Sequence, residues 1–157
     1  MTQPRNAEEL AHRIAIQDLL THYCTAIDSK DFDKLDGVFT PDAQIDYTSA
    51  GGVKGSFPEV KAWLEKALGL FPMTQHLVTN FEIKIDGDRA TSRCGFYNPM
   101  GLPVSSEEDA EENAPLRLLY FGGYYNDKLT LTSDGWRIEQ RIEDTAWKDA
   151  QFPGSSD

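Results

Sequence analysis

Ala26-Ile27-Asp28-Ser29-Lys30-Asp31-Phe32-Asp33-Lys34-Leu35-Asp36 closes one amphipathic segment, breaks, and opens a second. Ahead of it Leu10, Ile14, Ile16, Leu19, Leu20, Tyr23, Cys24 and Ile27 recur at intervals of three and four, the period of a helix that buries one face. At 100° per residue Asp28 falls about 40° beyond Cys24, on the shoulder of the apolar stripe, where a carboxylate can border a cavity without being entombed. After the polar break, Phe32, Leu35, Val38 and Phe39 predict a short second helix stopped by Thr40-Pro41.

Downstream, Gln44-Ile45-Asp46-Tyr47 alternates as a strand, Gly51-Gly52 turns the chain, and Phe57-Pro58-Glu59 opens a third helix carrying Val60, Trp63, Leu64, Ala67 and Leu68. The remainder reads as sheet. Segments 75–85 and 89–98 join through Asp86-Gly87, and a second hairpin runs from about Leu116 to Leu131 and from Trp136 to Trp147 around Ser133-Asp134-Gly135. Helices followed by long antiparallel strands predict an α+β domain whose curved sheet is lined by the helices, one unit over residues 1–157. Residues 99–115, rich in Pro, Gly, Ser and Glu, read as an acidic loop, and 152–157 as a flexible tail.

The net charge of −11 argues against nucleic acid and anionic membrane as partners. Five acids crowd into residues 105–112, and without them the charge would be an ordinary −6. The first ten residues lack the apolar core of a secretory signal, and no run reaches membrane-spanning length, so a cytoplasmic protein is expected. Cys24 and Cys94 are read as buried free thiols.

Asp28, Asp31, Asp33 and Asp36 lack the spacing of a calcium loop, and His12 and His22 have no third ligand at zinc spacing, so no metal is expected. Gly51-Gly52-Val53-Lys54-Gly55 is a turn and not a phosphate fingerprint. What remains is Asp28 with His76 of Thr74-Gln75-His76. A carboxylate that accepts from one ring nitrogen of a histidine leaves the other as a general base, with no cofactor required. Strict alternation places His76 with Val78, Asn80, Glu82 and Lys84, opposite Leu77, Phe81, Ile83 and Ile85, and hence towards solvent unless a bulge or strong curvature intervenes.

The run Asp28 to Leu35, Ile45-Asp46-Tyr47 and Thr74-Gln75-His76 resemble scytalone dehydratase. Ala15-Ile16-Gln17-Asp18-Leu19 and the stretch from Gly135-Trp136 to Arg141 resemble hexachlorocyclohexane dehydrochlorinase. Both belong to the SnoaL-like branch of the nuclear transport factor 2-like superfamily, and the similarity spans residues 8–147. The resemblance implies a cone-shaped fold around an apolar pocket, with Asp28 and His76 at the positions of a proton-abstracting dyad. It implies that Tyr47 helps polarise a substrate carbonyl and that Arg141 lines the pocket. Alternation groups Arg141 with Arg137 and Glu139, so a surface arginine stays open. Cys94 stands where the dehydratase has a second histidine, and Tyr23 where the dehydrochlorinase has a lysine, so neither substrate transfers. Tyr97, Tyr120, Phe121, Tyr124 and Phe96 are candidate aromatic walls.

These readings converge on a cofactor-independent lyase of dehydratase type, or an isomerase, acting on a small apolar cyclic or aromatic molecule and working as a homo-oligomer, dimer or trimer. The alternatives are a non-catalytic ligand-binding module or an accessory subunit with the same fold.

Overall fold

The computed structural model describes residues 6–104 and 115–151. Helix α1 (Ala7–Asp28) starts at Asn6, whose side chain accepts from the Glu9 backbone N–H at 2.8 Å. It ends where Lys30 turns left-handed at φ 57°. There Lys30 N–H donates to Ile27 O and Asp31 N–H to Ala26 O, closing the helix in the way a glycine usually does. The expected short second helix is a 3₁₀ helix (Phe32–Gly37), which leads into β1 (Phe39–Asp46).

A further 3₁₀ helix (Thr48–Ala50) and β2 (Lys54–Ser56) precede α2 (Phe57–Leu68). Ser56 donates to Glu59 from both its backbone N–H and its hydroxyl, and Pro58 sits in the first turn. Lys61 on α2 meets Asp33 and Asp36 at 2.9 Å each, tying α2 to the first 3₁₀ helix.

Five strands follow: β3 (Met73–Thr74), β4 (Leu77–Asp86), β5 (Arg89–Pro103), β6 (Leu116–Thr132) and β7 (Gly135–Gln151). The sheet runs β2-β1-β7-β6-β5, and β3 and β4 share the far edge of β5. It is antiparallel except that β1 lies parallel to β7, which makes a mixed sheet of the antiparallel one the pattern predicts. The fold is α+β, a strongly curled sheet with the helices on its concave side. Residues 99–103, expected in a loop, extend β5 against β6, with Pro99 opposite Tyr120 and Pro103 opposite Leu116. The acidic stretch 105–112 and the tail 152–157 lie outside the described residues.

Beside an irregular stretch of β1 between Phe39 and Gln44, three bulges on β4 and β7 set which of their side chains face inward. On β4, Asn80 (φ 53°) and Phe81 together oppose Cys94 alone, since Thr79 pairs with Gly95 and Glu82 with Arg93. On β7, Glu139 is the extra residue between Ile138 and Gln140, and Ala146 the extra one between Thr145 and Trp147. Each extra residue reverses the in-and-out alternation beyond it and adds curl. Opposite the Ala146 bulge stand Gly122 and Gly123. A Cβ on the first would strike the Trp147 indole, and one on the second the Asp144 carbonyl.

The core joins Ile16, Leu20 and Ile27 of α1 with Ile45, Val60, Leu129 and Ile138, all nearly inaccessible. Among the described residues no helix is long and apolar enough to cross a membrane.

Candidate active site

Asp28, the last residue of α1, engages His76 in the two-residue link between β3 and β4. The ring Nδ1–H donates to Asp28 Oδ1 at 2.7 Å, and the His76 backbone N–H donates to Oδ2, also at 2.7 Å. One carboxylate therefore fixes both the ring and the backbone of its partner. Burial works against ionisation of Asp28, but the hydrogen bonds from the His76 ring and backbone outweigh it and hold the carboxyl below its usual range. With Nδ1 committed, Nε2 is the nitrogen left for a ligand. Lys30 Nζ donates to Thr74 Oγ1 at 2.7 Å, pinning the segment that carries His76 to the end of α1.

His76 faces inward, with only 7% of its side chain exposed, against the solvent-facing placement that strict alternation gives. The Asn80–Phe81 bulge is the reason. Phe81, Ile83 and Ile85 face the core beyond it, His76 and Val78 do so before it, and Leu77 is left exposed.

His76 opens onto a cavity of about 200 Å³. Trp63, Leu64, Ala67 and Leu68 of α2, with Phe71, Met100 and Phe121, give it an apolar wall. Its polar groups are Tyr23, Tyr47, His76, Asn98, Tyr125 and Glu143. The Tyr23 and Tyr47 hydroxyls are hydrogen-bonded at 2.9 Å, and Asn98 Nδ2 donates to the Tyr125 hydroxyl at 3.1 Å. Asn98 Oδ1 is buried and has no partner among the described residues, so it is an acceptor free for a ligand. Since an apolar cavity of about 150 Å³ holds benzene, this one suits one or two small rings.

Beneath the cavity lies Arg141, fully buried, donating through Nε and Nη2 to the two oxygens of Asp127 at 2.8 Å each. Its guanidinium carbon sits 4.2 Å from the Tyr23 ring centre and 4.4 Å from that of Tyr125. The Glu139 bulge turns it inward, so it is neither a surface residue nor a residue of the cavity wall. Burial pushes the Tyr47 hydroxyl up to about 12, and the Arg141 charge acts in the opposite sense, favouring a phenol that shares its proton.

The other expected wall residues divide. Phe121 lines the cavity. Phe96 stacks on Tyr125 (centroids 4.6 Å apart) behind it. Tyr97 and Tyr124 do not line it, because Phe96 and Asn98 on β5 and Tyr125 on β6 take the inward positions. Tyr97 is exposed and stacks with Tyr120 and Trp147, while Tyr124 carries Arg93 on its face at 3.5 Å. Cys94 is buried among core residues and does not reach the cavity. Burial pushes its thiol and that of Cys24 up to about 12. Asn98 and Glu143 were not anticipated. Glu143 shares the inward parity of Arg141 two residues earlier, a link that becomes a signal only once the facing of Arg141 is known. No cluster of three or more His, Cys, Asp or Glu able to hold a metal ion occurs among the described residues.

An uncharacterised protein of Mycobacterium tuberculosis is 43% identical over 135 residues, which are 86% of this chain and 86% of that protein. The structure of hexachlorocyclohexane dehydrochlorinase from Novosphingobium barchaimii superposes with a TM-score of 0.72 at 18% identity, covering 92% of each chain. A Novosphingobium aromaticivorans protein provisionally assigned as a scytalone dehydratase superposes with a TM-score of 0.68 at 19% identity, over 94% of this chain and 97% of that one. At such identities the likeness shows the fold alone. The model of the SnoaL-like domain matches residues 8–142, and the chain belongs to that family.

Proposed function

We propose that the protein is a cofactor-independent lyase of dehydratase type, in which His76 removes a proton from a carbon next to a carbonyl and Asp28 orients His76 and stabilises its charged form. The observation that carries this reading is the two-point clasp of Asp28 on a histidine that lines an apolar cavity. A fixed, partly desolvated base beside an empty space for a carbon acid is what proton abstraction needs. The hydrogen-bonded phenols Tyr47 and Tyr23, with the Arg141 charge close to them, are suited to receive the charge that develops on the carbonyl oxygen. Two proteins of this fold bear the names of a dehydrochlorinase and a scytalone dehydratase, and elimination is common to both names.

A cavity of this size and lining favours a cyclic or aromatic hydroxy ketone of one or two rings. A non-catalytic binder would fit a His76 in solvent or a cavity filled by side chains, and the site has neither. The exposed row of Leu77, Tyr97 and Trp147 on the outer face of the sheet supports a homo-oligomer, which light scattering tests. The free, buried cysteines fit a reducing cytoplasm. The test of function is a screen of cyclic β-hydroxy ketones with wild type and His76→Ala. Equal turnover by the two would overturn the reading.

A further inference from the structure

The cavity holds a second carboxyl that the dyad does not use. Glu143 lies on β7 opposite Tyr125 of β6, while His76 lies beyond β5, level with Asn98, as the flanking pairs Thr74–Met100 and Leu77–Tyr97 require. Two strands separate them across the sheet, yet both line one cavity. A ligand in that space is lined by an imidazole and by a carboxyl at once.

We propose that Glu143 is the general acid of the elimination, donating its proton to the oxygen that leaves after His76 has taken the proton from the adjacent carbon. This rests on the lyase reading above. Bond by bond, the C–H pair first enters an enolate with its charge on the carbonyl oxygen; that enolate then collapses, its pair forming the new carbon–carbon π bond while the C–O pair goes to the leaving oxygen and the Glu143 proton completes a water molecule. Glu143 ends as a carboxylate and His76 as an imidazolium. One proton is taken up and one released, with no change of oxidation state.

Three features suit Glu143 to this role. Its environment lets it hold a proton in a fraction of molecules at neutral pH: burial raises it to about 7 against the opposing Thr145 hydrogen bond and Arg141 charge. The cation nearest in sequence is paired with another carboxylate, since Arg141 gives Nε and Nη2 to Asp127 and packs against Tyr23 and Tyr125, while its buried Nη1 has no hydrogen-bond partner among the described residues. The Glu143 charge in turn raises the Tyr47 and Tyr125 hydroxyls, and His76 shares the cavity with it.

The third feature is a path for resupply. Thr145 Oγ1 donates to Glu143 Oε1 at 3.2 Å, and the exposed Ser49 hydroxyl lies 3.2 Å from Thr145 Oγ1 and 2.8 Å from the Glu143 carbonyl oxygen. The Thr145 N–H donates back to Ser49 at 3.0 Å. Two hydroxyls thus link the surface to the carboxyl, so a proton spent in one turnover can be replaced without crossing the occupied cavity.

The test follows 3-hydroxy-1-tetralone in D₂O, reading deuterium entry at C2 separately from release of 1-naphthol, with wild type, His76→Ala, Glu143→Gln and Glu143→Asp. The expected result is that Glu143→Gln keeps C2 exchange within about threefold of wild type and loses naphthol release at least 100-fold. Glu143→Asp should recover part of that release, and His76→Ala should lose both signals. Naphthol release by Glu143→Gln within threefold of wild type, or loss of exchange together with release, overturns the acid role and leaves the base reading standing. Absence of C2 exchange in wild type overturns both. Independently of any substrate, ¹³C NMR should show a carboxyl absent from Glu143→Gln that titrates near neutral pH, and a midpoint below 5.5 overturns the proposal.

Discussion

Two carboxylates in this protein each spend both oxygens on a single partner residue, and they serve opposite ends. Asp28 holds His76 at a cavity wall, with a quarter of its side chain still exposed, whereas Asp127 holds Arg141 where neither side chain has any exposure. Arginine does not release its proton in proteins, so the deeper pair is a fixed charge that the surrounding phenols feel. Histidine can release one, so the shallower pair can take part in proton transfer. A matched geometry becomes chemistry or scaffolding according to the partner and the access.

The comparison breaks most visibly at His76. His76→Ala should lower kcat/KM on a verified substrate by about 10²–10⁴-fold while the melting temperature stays within a few degrees, a pattern read by steady-state kinetics beside calorimetry. Asp127→Leu should do the reverse, costing about 3–5 kcal/mol in urea unfolding because Arg141 is left charged and alone. The double variant Asp127→Leu/Arg141→Met should recover much of that loss, and failure to recover it would mean that the site needs more than volume and neutrality.

Glu143 sharpens the contrast, being a carboxyl with no cationic clasp at all. Its value of about 7 in the folded protein lies above the ordinary 4.5, so its proton favours the folded state. That contribution is whole below about pH 4.5 and is lost as the pH rises through about 7, a change of roughly 3 kcal/mol. Glu143→Gln should therefore gain on wild type by about that much between pH 4 and pH 8 in parallel urea melts, and parallel stability curves would refute it. Asp28 has the opposite sign: its value is lowered by folding, so its contribution is present at neutral pH and lost on acidification. The smallest effect is expected at Tyr23→Phe, about 1 kcal/mol in unfolding from the lost bond to Tyr47.

Much of this was legible in the sequence, and the part that was not has a common cause. The periodicity around Ile16 to Ile27, the helix start at Phe57-Pro58-Glu59, and the Asp86-Gly87 and Asp134-Gly135 turns are local signals, and the elements lie where those signals put them. Asp28 and His76 could be paired by chemistry and spacing. The facing of His76, Arg141 and Glu143 could not, because a bulge is decided by the partner strand. Asn80 and Glu139 carry no local mark of being the surplus residue. The parallel contact of β1 with β7 joins residues about a hundred positions apart, and Pro99 and Pro103 concealed a strand because proline seldom continues one.

The surplus residue at Glu139 has an evolutionary corollary. Ile138 and Arg141 are three positions apart and both face inward, because the partner strand passes over one residue between them. Loss of the Glu139 codon would set them two apart and keep Arg141 and Glu143 inward, so such a deletion removes local curl and spares the interior. A relative with one residue fewer at this point can therefore keep the same inward set under different position numbers, and an ungapped comparison would assign its facing wrongly.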